Sequence, residues 1–210
     1  SVISRLTWNG TSWSKVDLVR GLPRSEENHA SNGMQLDPVA NVLYVAQGGN
    51  TNAGGASTNF AFATEVALSA AILSVDLTAL ANLPVQGPAG SQFVYDLPTL
   101  DDPTRANVNG KDVNDPFGGN DGLNQAKLVA GGPVQVYASG FRNPFDLIRM
   151  KSAGQAGRMY TFDNAGNPGW GGYPYNEGPA GNCTNQYVDG ETGFVNNMDG
   201  LHFVTGAGYY

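Results

Sequence analysis

The sequence predicts an all-β fold of short strands joined by many turns, and three observations lead there. Only 14% of the 210 residues are charged, against about 25% in ordinary soluble domains, which excludes a coiled coil or a charged disordered chain. Gly (29) and Pro (12) make up roughly a fifth of the chain, high but short of the ~25–30% of low-complexity sequences. The apolar residues, 40% of the total, fall into short alternating runs bounded by turn-formers, the period of half-buried strands.

Ile3–Trp8 and Trp13–Val19 alternate on either side of Asn9-Gly10-Thr11-Ser12, a hairpin signature. Gly21–Asn32 is a polar loop. Gly33–Asp37 and Val42–Ala46 form a second strand pair, turned by Asp37-Pro38-Val39-Ala40-Asn41. Gln47–Thr58 is small, polar and Gly-rich, a flexible or ligand-facing loop. Phe60–Ala71 reads as a short helix or a covering loop. Ala71–Leu77 is a strand, Leu77–Leu83 gives one helical turn before Pro84, and Phe93–Leu97 is a short strand. Pro98–Asn124 has no apolar period and carries Asp101, Asp102, Asp112, Asp115 and Asp121. Loops this long are usually functional or mobile, but the aspartates lack a regular calcium-loop spacing, so a solvated insertion is the simpler reading. Strands return at Val134–Ala138, Phe145–Met150 and Arg158–Phe162. Gly166–Gly200 is turn-rich, and Leu201–Thr205 is the last strand. About ten short antiparallel strands, in modules of roughly 40–60 residues in which a strand pair recurs, point to propeller blades.

Eleven basic residues against 18 acidic ones give a net charge of −7. Such a surface repels phosphate backbones, so no nucleic acid is expected, nor attraction to anionic lipid. No apolar run approaches the ~18 residues of a membrane span, so no insertion is expected. The single Cys183 excludes an internal disulfide framework and reads as an inert or intermolecular thiol. Low charge, abundant Asn and Gly and a near absence of cysteine suit a bacterial exported protein, secreted, periplasmic or at the cell surface. The absence of a signal peptide and of Met at Ser1 suits a processed or excised piece. Asn9-Gly10-Thr11 and Asn182-Cys183-Thr184 match the glycosylation sequon, a pattern short enough to arise by chance.

Three segments carry chemistry. The first is Asn28-His29 before Gly33-Met34-Gln35-Leu36-Asp37 and Leu43-Tyr44-Val45-Ala46-Gln47-Gly48-Gly49. The second is Val136-Tyr137-Ala138-Ser139-Gly140-Phe141-Arg142-Asn143-Pro144-Phe145-Asp146-Leu147. The third runs from Met159-Tyr160-Thr161-Phe162-Asp163-Asn164 through Ala165-Gly166-Asn167-Pro168 to Gly169-Trp170-Gly171-Gly172. Their order resembles the soluble quinoprotein glucose/sorbosone dehydrogenase family over about residues 15–210, with the Arg-Asn-Pro segment the most diagnostic.

The resemblance implies a six-bladed β-propeller carrying pyrroloquinoline quinone (PQQ) and Ca²⁺, with hydride transfer from a sugar hydroxyl to the quinone. It implies His29 as the general base, a role that an imidazole suits because its ordinary pKa of about 6.5 lies near working pH. Arg142 becomes the cation beside the quinone and Asn143 its neighbouring polar contact. Asp163, Asn164 and Asn167 become the calcium-binding turn, calcium taking 6–8 oxygens. The sequence departs from the family in two ways. Past Arg158 no Lys or Arg follows and His202 is the only other basic side chain, whereas the family holds the cofactor's carboxylates with further basic residues on later blades. At roughly 40–60 residues per blade the chain supplies three to four blades. Residues 1–210 are thus expected to be part of one such propeller domain, with the insertion at about 98–124 and the site completed by the remainder of the parent polypeptide. A second expectation belongs to another class: a non-catalytic propeller serving as a binding or structural module, possible homo-oligomer contacts running through open blade edges.

Overall fold

The structure, a computed structural model, describes residues 1–24, 29–52, 54, 65–101, 124–167 and 198–206. Asn28, the insertion over 102–123, Trp170 and Cys183 lie outside the described residues. In chain order the elements are β1 (Ile3–Trp8), β2 (Trp13–Arg20), β3 (Ser31–Asp37), β4 (Val42–Gln47) and β5 (Ala71–Asp76). Then come helix α1 (Leu77–Ala81), β6 (Phe93–Asp96), β7 (Thr99–Asp101) and β8 (Asn124–Ala126). They end with β9 (Val134–Ser139), β10 (Pro144–Arg149), β11 (Met159–Asp163) and β12 (Gly200–Val204). The fold is all-β, as expected, and the one short helix falls where one turn is predicted. Asp76 caps it, accepting the Ala79 N–H at 2.9 Å.

The strands form sheets β1-β2-β6, β3-β4-β5-β9 and β10-β11-β12, with a small pair β7-β8. The first hairpin turns where Asn-Gly predicts it. The Asn9 side chain accepts the N–H groups of Thr11 and Ser12 at 2.9 and 2.8 Å, and Gly10 takes a φ of +101° that costs a glycine nothing. Asp37 organises the second turn in the same manner, accepting from Val39 and Ala40. Its other oxygen pairs with Arg149 at 2.5 Å, tying β3 to β10.

The middle of the four-stranded sheet, β5 above all, is buried on both faces, and its alternation shows how. Val45, Leu73, Val75 and Val134 share one core with Ile3, Val19 and Val94 of the first sheet. Ala46, Ile72 and Ala138 share another with Leu147, Met159 and Val204 of the third. The three sheets are therefore stacked face to face, and each fully buried Val, Leu or Ile contributes about 1.5–3 kcal/mol. Two features differ from the expected antiparallel pattern. β6 pairs parallel to β2, a long-range pairing made after the chain has passed through β3, β4 and β5 of another sheet. β7 and β8 pair at the two ends of the polar insertion, where three-residue strands leave no apolar alternation to read. No helix among the described residues is long and apolar enough to cross a membrane.

Candidate functional site

His29 lies two residues before β3, and Arg142 two residues before β10. Because β3 packs against β10, the loops that enter these strands meet, and residues from opposite halves of the chain become neighbours. The end of β4 passes between them: the Gly48 N–H donates to Ala30 O at 2.9 Å and the Gly49 N–H to Arg142 O at 2.8 Å. Neither glycine leaves room for a side chain. A Cβ at Gly48 would lie 2.5 Å from Asn143 Oδ1 and 2.8 Å from His29 Cβ, and one at Gly49 would lie 2.8 Å from Arg142 O.

His29 is 1% exposed. Its Nδ1 lies 3.0 Å from the Gly49 carbonyl oxygen. A carbonyl only accepts, so the neutral ring carries its proton on Nδ1 and its lone pair on Nε2. Burial and the nearby Arg142 charge lower its pKa from 6.5 to about 4, so the ring is neutral at pH 7. The unfolded chain takes up this proton first as pH falls. Burying His29 therefore costs nothing through protonation at neutral pH, and destabilises the fold by about 3 kcal/mol once pH has dropped from about 6.5 to 4. Urea unfolding of the wild type is expected to lose that much stability over this window, and His29→Gln to flatten the loss. A His29 ring titrating by NMR near 6.5 would contradict both.

Arg142 is half-buried and borders a cavity of about 600 Å³. Its Nε donates to Asn52 O and Oδ1, Nη2 to Asn52 Oδ1, and Nη1 to Asn164 O. Of the five guanidinium N–H groups, this leaves one on each terminal nitrogen for a ligand. Burial lowers its pKa, opposed by the charges of Asp163 and Asp199. Thr51, Asn52, Glu65, Ser69, Ser139 and Asp163 supply further polar groups to the cavity wall; among the described lining residues His29 is not present.

Asn143 is buried and turned inward. Its Oδ1 accepts from Asn32 at 3.0 Å, and its Nδ2 donates to Asn164 Oδ1 at 3.0 Å. It therefore positions its neighbour Arg142 more than it meets a ligand. Asp163 accepts the main-chain N–H groups of Arg142 and Asn143 at 2.9 and 2.7 Å, one on each oxygen. Burial raises its pKa, opposed by those two bonds. The Asn164 main-chain oxygen accepts from Arg142, and that of Asn167 accepts from Asn52 at 2.9 Å. The structure thus brings Asp163, Asn164 and Asn167 together with Arg142. A carboxylate already holding two amides, beside a guanidinium, does not suit calcium, which wants a cage of oxygens and no cation. No group of three or more His, Cys, Asp or Glu that could hold a metal occurs among the described residues. The sequence reading missed Asn52, which the Gly-rich loop pattern marks only as ligand-facing, and the two glycines that let His29 and Arg142 approach.

Compared with family models, curated proteins and solved structures, the chain matches none.

Proposed function

We propose that this chain is part of a β-propeller similar to the soluble quinoprotein glucose/sorbosone dehydrogenases, with a polyol-sized cavity beside a quinone contact at Arg142. The observation that carries the reading is the meeting of His29 and Arg142 around Gly48 and Gly49 at one end of the sheet stack. The face-to-face stacking of successive sheets supports the propeller, since blades pack in this way. So does the outer face of the third sheet, where Ile148, Phe162, Leu201 and Phe203 are exposed and cross-strand neighbours place them with Tyr160 on one side. A further sheet, from the same polypeptide or from a second copy, would cover it, and a monomer in sedimentation counts against the second copy. The bacterial exported location belongs to the same proposal.

In this reading a bound quinone supplies the hydride acceptor. Arg142 offers its two remaining N–H groups to an oxygen that gains negative charge, an interaction strengthened by the half-buried setting. Asp163 and Asn143 hold the Arg142 main chain in place. His29 presents a neutral imidazole beside the Arg142 loop but does not line the cavity, and Thr51 and Ser69 donate their hydroxyls to Glu65, which leaves Ser139 to meet a hydroxyl-rich substrate. No step is assigned to calcium, whose expected ligands serve as hydrogen-bond acceptors within the loop.

One observation favours the non-catalytic binding module instead. A base held near pKa 4 and 1% exposed is weak at neutral pH, where catalytic bases are tuned close to 7. The test is titration of the protein with PQQ, followed by quinone absorbance after dialysis and by aldose-dependent dye reduction, each with and without Ca²⁺. Retained quinone and dye reduction, both reduced at least about tenfold in Arg142→Ala, are expected. No retained quinone overturns the dehydrogenase reading, and sugar binding by calorimetry in that case leaves the binding module standing.

A further inference from the structure

Asn52 sits beyond β4 in the Gly/Asn-rich loop and is 2% exposed. A buried amide needs partners for both its oxygen and its nitrogen, and this one finds them in two distant segments. Its Oδ1 accepts from Arg142 Nε at 3.1 Å, from Arg142 Nη2 at 2.8 Å and from the Asn167 main-chain N–H at 2.7 Å. Its Nδ2 donates to the Asn167 carbonyl at 2.9 Å. Its own carbonyl accepts Arg142 Nε at 3.0 Å. The side chain therefore engages both main-chain groups of Asn167, as a neighbouring strand would, and closes the guanidinium fork on its other side.

We infer that Asn52 is a positioning residue: it aims the Arg142 guanidinium along the cavity wall and locks it to the turn around Asn167. The physical need is plain. Arg142 hangs on a long stem of rotatable bonds, and the charge of Asp163 is engaged by main-chain amides, so no carboxylate fork fixes the guanidinium plane. An amide oxygen with three donors can do so without neutralising the cation, which leaves the charge for a ligand. The functional consequence rests on the quinone reading above; the positioning itself does not.

The test follows the Arg142 Nε–H signal by ¹⁵N–¹H NMR on the ligand-free protein, the signal assigned by its loss in Arg142→Lys, together with PQQ titration. A slowly exchanging Arg142 signal is expected in the wild type and absent in Asn52→Ala. It should survive in Asn52→Asp, which keeps the oxygens that accept from Arg142 and sets a carboxylate oxygen against the Asn167 carbonyl in place of the donor. PQQ affinity is expected to fall about tenfold in Asn52→Ala, the loss of a charged hydrogen bond, and not to recover in Asn52→Asp, whose carboxylate holds the guanidinium but neutralises the charge that the ligand needs. Asn52→Ser, too short to span both partners, is interpreted like the alanine variant and replaces it where alanine folds poorly. An Arg142 signal that persists in the alanine or serine variant overturns the inference. A signal lost in those variants, with no PQQ bound even by the wild type, upholds the positioning and removes the quinone reading instead.

Discussion

Gly33→Ala is expected to destabilise the fold by about 3 kcal/mol or more, the upper range for an overpacked core site. A Cβ at Gly33 would lie 2.3 Å from Asp146 Oδ1, 2.8 Å from Leu147 N and 2.9 Å from Asp146 Cα. Two of these three atoms are main chain, so no rotamer change clears the space. β3 and β10, and with them the second and third sheets, would have to separate. The consequence reaches the site. Asn32, the residue before Gly33, donates to Asn143 Oδ1 at 3.0 Å and to Pro144 O at 3.1 Å, and a displaced β10 would pull those acceptors away. Gly90→Ala is the companion measurement. Its φ of +87° disfavours a side chain, but no atom lies within 4 Å, so it should cost only the left-handed penalty of about 1–2 kcal/mol. Urea unfolding separates the two, with a large drop in midpoint for Gly33→Ala and a small one for Gly90→Ala. Equal midpoints would mean that β3 and β10 are not in the close contact described.

Much of the strand pattern was legible because it is local. Trp8 and Trp13 alternate toward an Asn-Gly turn, and the hairpin lies within that stretch. Leu73 and Val75 on one face of β5, with Ile72 on the other, give a nearly continuous apolar stretch in the sequence, interrupted by Ser74, because both faces are buried. The parallel pairing of β2 with β6 was not legible, since nothing in WSKVDLVR or FVYD states which distant strand each will meet. The site divides in the same way. His29, Arg142 and Asp163 could be picked out by a family resemblance, yet their environments could not. Only the fold shows that His29 is sealed from solvent, that Asn143 turns inward to Asn32, and that both oxygens of Asp163 serve main-chain amides. Asn52 was hidden for a physical reason: a loop residue has no periodicity, and its partners Arg142 and Asn167 are brought to it by the stacking of sheets.

Asp163→Ala is expected to cost about 3 kcal/mol, and Asp163→Asn about 1 kcal/mol, from the worth of hydrogen bonds to a charged acceptor. The carboxylate accepts the Arg142 N–H on Oδ2 and the Asn143 N–H on Oδ1. Alanine leaves both amides without that acceptor at the mouth of the loop. Asparagine keeps one oxygen for one amide and sets its NH₂ against the other. The charge works in the opposite sense. Burial raises the Asp163 pKa above 3.8, so the folded chain holds this proton more tightly than the unfolded chain does. Its effect on stability is most favourable below the ordinary carboxylate value and declines as pH rises through the folded value. The Asp163 carboxylate thus keeps two amides satisfied at a desolvation cost that asparagine removes, which is why the amide variant should be the milder. The two variants decide which effect wins. If hydrogen bonding dominates, alanine is much worse than asparagine in urea unfolding at pH 7. If the buried charge dominates, asparagine should match or exceed the wild type. Loss of equal stability in both would mean that neither amide depends on Asp163. The Arg142 Nε–H signal adds the functional side: it should weaken in Asp163→Ala, because the guanidinium fork can be held by Asn52 only while the main chain beneath it stays in place.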